Sequence, residues 1–352
     1  MKANYKKKNG GVADLEWKAS FADKRGVLNV SETKMSQLLR QRNFQSEATG
    51  SLLAFTIPHL MFNLNGKVMF DWQRVSAGLN SLSDTSGSEQ KTWLLGAFVS
   101  PKILLHFGNR LQWLVYVPVG VKYYHSADGS LDYDKRFFST CPYSNLTYKP
   151  TGRLSFDLTT ICEESMPSVL SQMVLKHYVN YRTTMSNPHQ VEIAPNRSIK
   201  LAFTSSYKDI IKMLFGGVTL SYVDARNGNS MGYQVVDDVV NYIVQPQSTK
   251  NRVWQIEQTV AKGFFRWNSK ISESLSIGTS RSEYYVGGDC HDGRSDYLQA
   301  KISYVASVWK WLNLSISNDY SVSKPYTDGK ASGDVYRTFM NAFSFTFWLG
   351  KQ

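Results

Sequence analysis

No stretch of this chain is apolar for the roughly 20 residues that a membrane-spanning helix needs, so helical spans are excluded. Cysteine is scarce, with 3 in 352 residues, and no CxxC or His/Cys cluster has zinc spacing. There is no GxSxG elbow, HExxH motif, Walker loop or Rossmann glycine fingerprint. His59, His106, His125, His177, His189 and His291 are scattered. The adjacent pairs Asp237-Asp238 and Glu163-Glu164 make poor shared carboxylate sites, because neighbours on a strand point to opposite faces; they read as solvated loop charges. Asp289, Asp292 and Asp296 lack the alternating Asp/Asn spacing of calcium loops. No catalytic residue, cofactor or metal is therefore expected. Acidic residues are outnumbered 28 to 40 by Lys and Arg, a net charge of +12. Apart from Lys6-Lys7-Lys8 the basic residues are dispersed, and no nucleic-acid module accompanies them. Nucleic acid is not an expected partner; solvated loops and anionic lipid head groups account better for the charge.

What the chain does have is alternation. Leu298, Ala300, Ile302, Tyr304, Ala306 and Val308 alternate with mostly polar residues, and Leu312, Leu314 and Ile316 resume the pattern after Trp309-Lys310-Trp311. Side chains on a strand point alternately to opposite faces, so this reads as two strands sharing an apolar face. A turn centred on Lys310 would set Val308 opposite Leu312, Ala306 opposite Leu314 and Tyr304 opposite Ile316. Each arm runs about 13 residues, against the usual 5–6 of a globular strand. Long ribbons with one greasy and one polar face suit a wall between lipid and water. The aromatic content, 13%, matches the interfacial girdles of such walls.

The same pattern recurs upstream. Ala13, Leu15, Trp17, Ala19 and Phe21 alternate with polar residues, and the last strand spans Val335–Leu349. Tight turns are expected at Asn63–Gly66, Phe107–Arg110, Lys149–Arg153, Tyr207–Ile210, Phe265–Ser269 and Trp309–Trp311. Long polar loops are expected at Asp23–Ser46, Asn80–Gln90, Ser126–Lys135, Glu163–Pro195, Val223–Lys250, Val286–Arg294 and Ser323–Asp334. The two classes alternate, as they do in outer-membrane barrels, and the count is about 14 strands, an even number. Ser31–Gln41 and Ser168–Tyr181 have helical spacing inside long loops. The chain divides into a basic, disordered N-terminus over 1–10 and a barrel domain over 11–352.

From Tyr148-Lys149-Pro150 to Tyr222 the residues resemble the barrel of TonB-dependent outer-membrane receptors, in the outer-membrane β-barrel family form common among Bacteroidota. The run comprises a strand ending in Tyr148-Lys149-Pro150, a strand from Leu154, Pro167-Ser168, Asn180-Tyr181-Arg182-Thr183-Thr184 and Asn187-Pro188. Two closing strands follow, with Tyr207-Lys208 at their junction and Leu220-Ser221-Tyr222 near the end. The resemblance implies an all-β, antiparallel transmembrane barrel in the outer membrane of a Gram-negative cell. It implies import of a bulky nutrient such as a siderophore, vitamin or glycan, and no enzymatic step. The whole receptor has a barrel of about 22 strands closed by a plug. No segment here reads as a plug or engages TonB, and no apolar leader follows Met1–Gly10, so the expectation is the C-terminal barrel portion of a longer receptor. Its implied partners are outer-membrane lipid, the barrel-assembly machinery and, in the full-length protein, the plug and TonB.

Trp267, Trp309 and Trp311 lie in or beside tight turns and are expected to anchor the periplasmic rim. Phe343, Phe345, Phe347 and Trp348 form the expected assembly strand, although the final residue, Gln352, is not the aromatic that the resemblance calls for. Cys141 and Cys162 are symmetric about Thr151-Gly152, so a hairpin there would place them across a ladder within disulfide reach. Glu163–Pro195 and Val223–Lys250 are the expected ligand-contacting loops, since loops on a rigid scaffold usually carry recognition. Two alternatives stay open: a complete smaller barrel acting as a channel or outer-membrane enzyme, and a soluble β-rich binding protein. Pairing of Ala13–Phe21 with Asn341–Leu349 would mark the first; burial of the Leu298/Ile302/Tyr304 face in a core would mark the second.

Overall fold

Tyr304 stands opposite Ile316 and Ala306 opposite Leu314 in the computed structural model, so the final hairpin has the register its alternation dictates. At its tip the ladder slips by one: Ser307 faces Asn313, but Trp309 rather than Val308 faces Leu312. The bulge replaces the expected Val308–Leu312 pair and brings the rings of Trp309 and Trp311 together at 5.1 Å. The structure describes residues 2–6, 12–30, 35–80, 85–128, 131–174, 176–180, 182–189, 191–236, 238–309 and 311–347.

In chain order the strands are β1 (Lys2–Lys6), β2 (Val12–Val30), β3 (Met35–Ile57), β4 (Leu60–Asn80), β5 (Thr85–Phe107), β6 (Leu111–Tyr116), β7 (Val119–Asp128), β8 (Leu131–Thr140), β9 (Tyr143–Tyr148) and β10 (Leu154–Ser165). There follow β11 (His177–Asn180), β12 (Thr183–Ser186), β13 (Asn196–Asp209), β14 (Leu214–Asn227), β15 (Ser230–Val236) and β16 (Val239–Gln245). The last six are β17 (Thr249–Phe264), β18 (Ser269–Val286), β19 (Asp289–Trp309), β20 (Leu312–Thr327), β21 (Lys330–Ala331) and β22 (Tyr336–Phe347). All 22 segments belong to one sheet.

That sheet is an antiparallel meander. β1 to β5 pair in sequence. β6 and β7 lie end to end along β5, and β8 and β9 continue them. Pro118 and Pro142, side by side at the two breaks, lack the N–H that would carry the ladder through. The meander then runs β9, β10, β13, β14, β17, β18, β19, β20, β22. With β6/β7 and β8/β9 each taken as one ribbon, fourteen long strands run from β2 to β22. Among the described residues the sheet does not close: β22 pairs only with β20, while β2 pairs with β3 and, over Val12–Glu16, with β1.

The two faces differ in character, although Gln258, Glu273, Asn318 and Asn341 also fall on the more apolar side. Leu158, Phe203, Leu220, Ile256, Ile277, Leu298 and Val322 are successive cross-strand partners, an apolar row from β10 to β20 on the convex side that meets Arg337 on β22. One residue away, Thr204, Thr219, Glu257, Ser276, Gln299, Ser321 and Thr338 form an all-polar row on the concave side. A one-residue slip would exchange the faces, so the belt fixes the register. No second layer covers it among the described residues, and Ile302 is exposed. The soluble alternative, which needs that face inside a core, is not what folds.

Several local readings are corrected. Asn63–Gly66 lies inside β4; the turn is Pro58-His59, where proline ends β3 and Phe62, Leu64, Val68 and Phe70 keep one face. The turn expected at Tyr207–Ile210 falls at 210–213. Asp23–Ser46, expected as a loop, is mostly the continuation of β2 and β3, and Met35–Gln41 is strand rather than helix; Ser31–Lys34 lies outside the described residues. Val286–Arg294 closes through Gly287-Gly288, and Ser323–Asp334 through Asp328-Gly329; positive φ at both central residues suits a two-residue hairpin. Among the described residues of Ser168–Tyr181, Val169–Gln172 alone is helical, as one 3₁₀ turn. Lys2–Lys6, expected to be disordered, pairs with Val12–Glu16.

Gly278 sits directly opposite Tyr297, whose ring covers it on the concave face. A Cβ there would meet that ring and, at 2.6 Å, the Trp254 carbonyl oxygen. Gly278→Val is therefore expected to lower stability by about 1–3 kcal/mol in denaturant titrations, the usual range for overpacking.

Candidate ligand cavity beneath an in-folded loop

The connection between β10 and β13 turns inward across the concave face instead of standing free. Pro167-Ser168 starts the fold: Ser168 caps the 3₁₀ turn, its Oγ accepting from the Ser171 N–H at 3.3 Å. Val169 and Met173 then bury against Val75 with Leu39, Ala77 and Leu170 around them. This apolar knot holds residues of β3 and β4 against a loop far downstream in the chain, an ordering gain no local pattern supplies.

Polar side chains complete the attachment. Gln172 accepts from the Tyr124 hydroxyl and, at 3.2 Å, from Ser126 Oγ, which accepts in turn from Gln90 Nε2 at 2.6 Å. Burial raises the cost of leaving any of these groups unpaired. Gln37 on β3 clasps the loop backbone twice: the Tyr178 N–H donates to its Oε1 at 2.6 Å, and its Nε2 donates to the Tyr178 carbonyl at 2.9 Å. Beyond that clasp, β12 pairs parallel with β16, joining this loop to the one between β14 and β17. Asn187 closes the return, its side chain accepting from the Val191 N–H at 2.9 Å and donating to the Val191 carbonyl at 3.2 Å.

Under this roof lies a cavity of about 1060 Å³. Its floor comes from concave-facing positions of β3, β4 and β5: Gln41, Asn43, Lys67, Asp71, Gln73 and Ser100. Lys122 and Tyr124 line it from β7, and Glu163, Pro167, Ser168 and Gln172 from the loop side. The expected recognition loops thus reach the cavity unequally: Glu163–Pro195 supplies much of one side, and Val223–Lys250 contributes Ala225, Arg226 and Asn227. Amide, hydroxyl and both signs of charge suit a polar, hydrogen-bonding ligand better than a greasy one.

Beside the cavity the sheet is interrupted. β8 pairs with β7 but not with the upper part of β10 among the described residues. Glu164 bridges the seam, accepting from Lys122 Nζ at 2.7 Å and Arg197 Nη2 at 3.2 Å. The side chains of Glu164 and Lys122 are only 3% and 9% exposed. Glu164 is therefore not the solvated loop charge expected from sequence; ion pairing lets it be buried.

The other expected sites are placed as follows. Trp267, Trp309 and Trp311 are exposed at the tight-turn end of the sheet, with Trp113 and Phe265. Phe343, Phe345 and Phe347 share the convex face of β22 opposite Ile316, Leu314 and Leu312; Trp348 lies outside the described residues. Cys141 and Cys162 adjoin across the Pro142 break, and both are free thiols, as is Cys290. A second aromatic row, Phe21, Phe44, Trp72, Trp93 and His125, crosses β2 to β7 toward the other end.

Beyond the belt the β18–β19 and β20–β21 hairpins are tied together. Asp328 accepts from His291 Nδ1 at 2.8 Å and from the Asp292 N–H at 2.9 Å. The His291 bond, then the backbone one, holds the Asp328 carboxyl below its ordinary value. A depressed carboxylate stabilises above its unfolded-state pKa, and that contribution is lost as pH falls through the folded value. Amide exchange at Asp292 is therefore expected to speed up on acidification below about pH 4, relative to an Asp328→Asn variant.

No family model matches the chain, and no curated protein matches it. Solved structures do. The copper transporter OprC matches over 88% of this chain and 56% of its own, with 10% identity and a TM-score of 0.56. The ferric citrate transporter FecA, unliganded, matches over 97% of this chain and 59% of its own, with 11% identity and a TM-score of 0.53. The fold is that of outer-membrane receptor barrels. FpvA of P. aeruginosa, in a complex with a heterologous iron-bound pyoverdine, gives 10% identity and a TM-score of 0.51 over 98% of this chain. These neighbours are TonB-dependent receptors. The chain spans a little over half the length of each: 56% of OprC, 59% of FecA and 55% of FpvA.

Proposed function

We propose that this chain forms the outer-membrane wall of a TonB-dependent import receptor, with the roofed cavity as part of its ligand-facing surface. The observation that carries the reading is the pair of adjacent cross-strand rows, one wholly apolar and one wholly polar, on a meander of receptor-barrel type. Such a wall lies in the outer membrane, apolar face to lipid and polar face to the import path. Its role is transport rather than catalysis. The cargo is a bulky polar nutrient of the siderophore, vitamin or glycan kind, and a plug and TonB act with it in the full-length receptor. Assembly would use the barrel-insertion machinery acting on β22.

The test is uptake by cells carrying or lacking the gene, with ferric citrate, cobalamin and maltodextrin as separate labelled probes. Uptake of at least one probe is expected to fall on deletion, and equally on inactivating TonB. Gene-dependent uptake that persists without TonB would instead make the chain a passive channel.

A further inference from the structure

The sheet forks beside the cavity. β9 and β10 pair as far as Tyr143 and Ile161. Above that level, among the described residues, β10 pairs only with β13 and β8 only with β7. One further backbone bond closes the base of the fork, from the Cys162 N–H to the Pro142 carbonyl at 3.0 Å. The Glu164 ion pairs lie two residues higher, so they cross the fork but do not seal its base.

Two of the three cysteines stand at that base. Cys141 and Pro142 fall between β8 and β9, outside either strand, and Cys162 lies on β10. In an unbroken ladder Cys141 would point to the face opposite Cys162. The break frees it, and its thiol meets the Cys162 thiol in a hydrogen bond. The Cys162 S–H also lies 3.9 Å from the Thr140 carbonyl, so Cys162 holds to the backbone on both sides of Cys141. With strands about 4.8 Å apart and a rise of about 3.3 Å per residue, Cα atoms one residue out of register stand about 6 Å apart, inside the range a disulfide spans.

We infer that Cys141 and Cys162 are joined by a disulfide in the mature protein, and that this bond clasps the fork. A chain bound for the outer membrane crosses the periplasm, where disulfides form and persist. A protein disulfide donor of that compartment is the oxidant. One cysteine thiolate attacks the donor's disulfide, and the other then displaces the donor from the mixed disulfide. The donor leaves as a dithiol, carrying both electrons and both protons. The two thiols of this structure are the reduced form from which the bond is made. The inference rests on the outer-membrane location and not on the cargo. Once formed, the bond stops the fork from opening downward into the β9–β10 ladder.

Outer membranes from cells making the full-length protein are quenched in acid, denatured and alkylated with a polyethylene-glycol maleimide. The wild type is expected to take one adduct, on the exposed Cys290, and three after reduction; Cys290→Ser is expected to take none, then two. Mass spectrometry should find the peptides of Cys141 and Cys162 linked before reduction and separate after it. Hydrogen exchange then reads the clasp. Reductant is expected to speed exchange about tenfold at Ser144 and Thr160, which pair just below the fork. Cys141→Ser/Cys162→Ser is expected to exchange at the reduced rate whether or not reductant is present. Heat-modifiable gel mobility certifies its folding; if it does not fold, reduction of the wild type carries this arm. Three adducts on the unreduced wild type, a peptide linking Cys290 to either cysteine, or exchange unchanged by reduction would overturn the assignment.

Discussion

Leu298→Arg is expected to lower stability by about 2 kcal/mol, since Leu298 lies only two residues from Asp296 on the same face, while Gln299→Arg one position away is tolerated. Leu298 lies mid-row on the convex belt between Ile277 and Val322; Gln299 lies on the polar row between Ser276 and Ser321. An arginine on the lipid face costs about 2–4 kcal/mol at the bilayer midplane and little near the interface, whereas a lumen-facing one remains hydrated. That cost is a large part of the stability of a typical folded domain. Heat-modifiable mobility in outer-membrane extracts, together with urea unfolding in lipid vesicles, reads the difference. Two variants of equal stability would mean that the convex face does not meet hydrocarbon, and the transport reading would fall with it.

Glu164→Gln is the second large expected effect. The substitution keeps the shape of the side chain but leaves the Lys122 ammonium buried without a counter-charge. Breaking a buried pair from one side costs about 3–5 kcal/mol, most of it the stranded charge. Lys122→Met combined with Glu164→Leu removes both charges and is expected to recover much of the loss, because an apolar replacement of a buried pair is often neutral. Arg197→Ala should matter far less: Arg197 is 48% exposed, and exposed pairs contribute about 0–1 kcal/mol. Guanidinium midpoints of the four proteins separate these outcomes. If Glu164→Gln and Arg197→Ala were equally mild, the seam would be held by its backbone alone.

The belt was legible in the sequence because hydrocarbon imposes a strict period of two wherever a strand meets it. Leu298–Ala306 could hardly be read otherwise, and its register with Leu312–Ile316 follows apart from the bulge at Val308. Strand ends were less legible. Beyond the membrane both faces are wet, so β2, β3 and β5 continue without alternation and read as loop. Turn dipeptides misled in both directions. Asn65-Gly66 has the strongest hairpin signature in its neighbourhood, yet lies mid-strand with Gly66 opposite Gly50. Gly287-Gly288 and Asp328-Gly329 do make tight turns, inside stretches that looked too polar for strands. The cavity was hidden for a different reason. Gln37, Tyr124 and Gln172 meet their cross-loop partners at separations of 46 residues or more. Glu164 could not be recognised as buried without Lys122, 42 residues upstream.

β3 and β5 each run 23 residues, more than twice what a tilted strand needs to cross a bilayer. The surplus is ribbon, with main-chain groups already committed to neighbours. A protease must draw an unpaired segment into its cleft, so this outer parapet should resist digestion on intact cells where slack loops of equal length would be cut. The protein can therefore carry the strand positions that hold the in-folded loop, Gln37, Leu39, Val75 and Ala77, past the apolar belt without exposing the supports to attack.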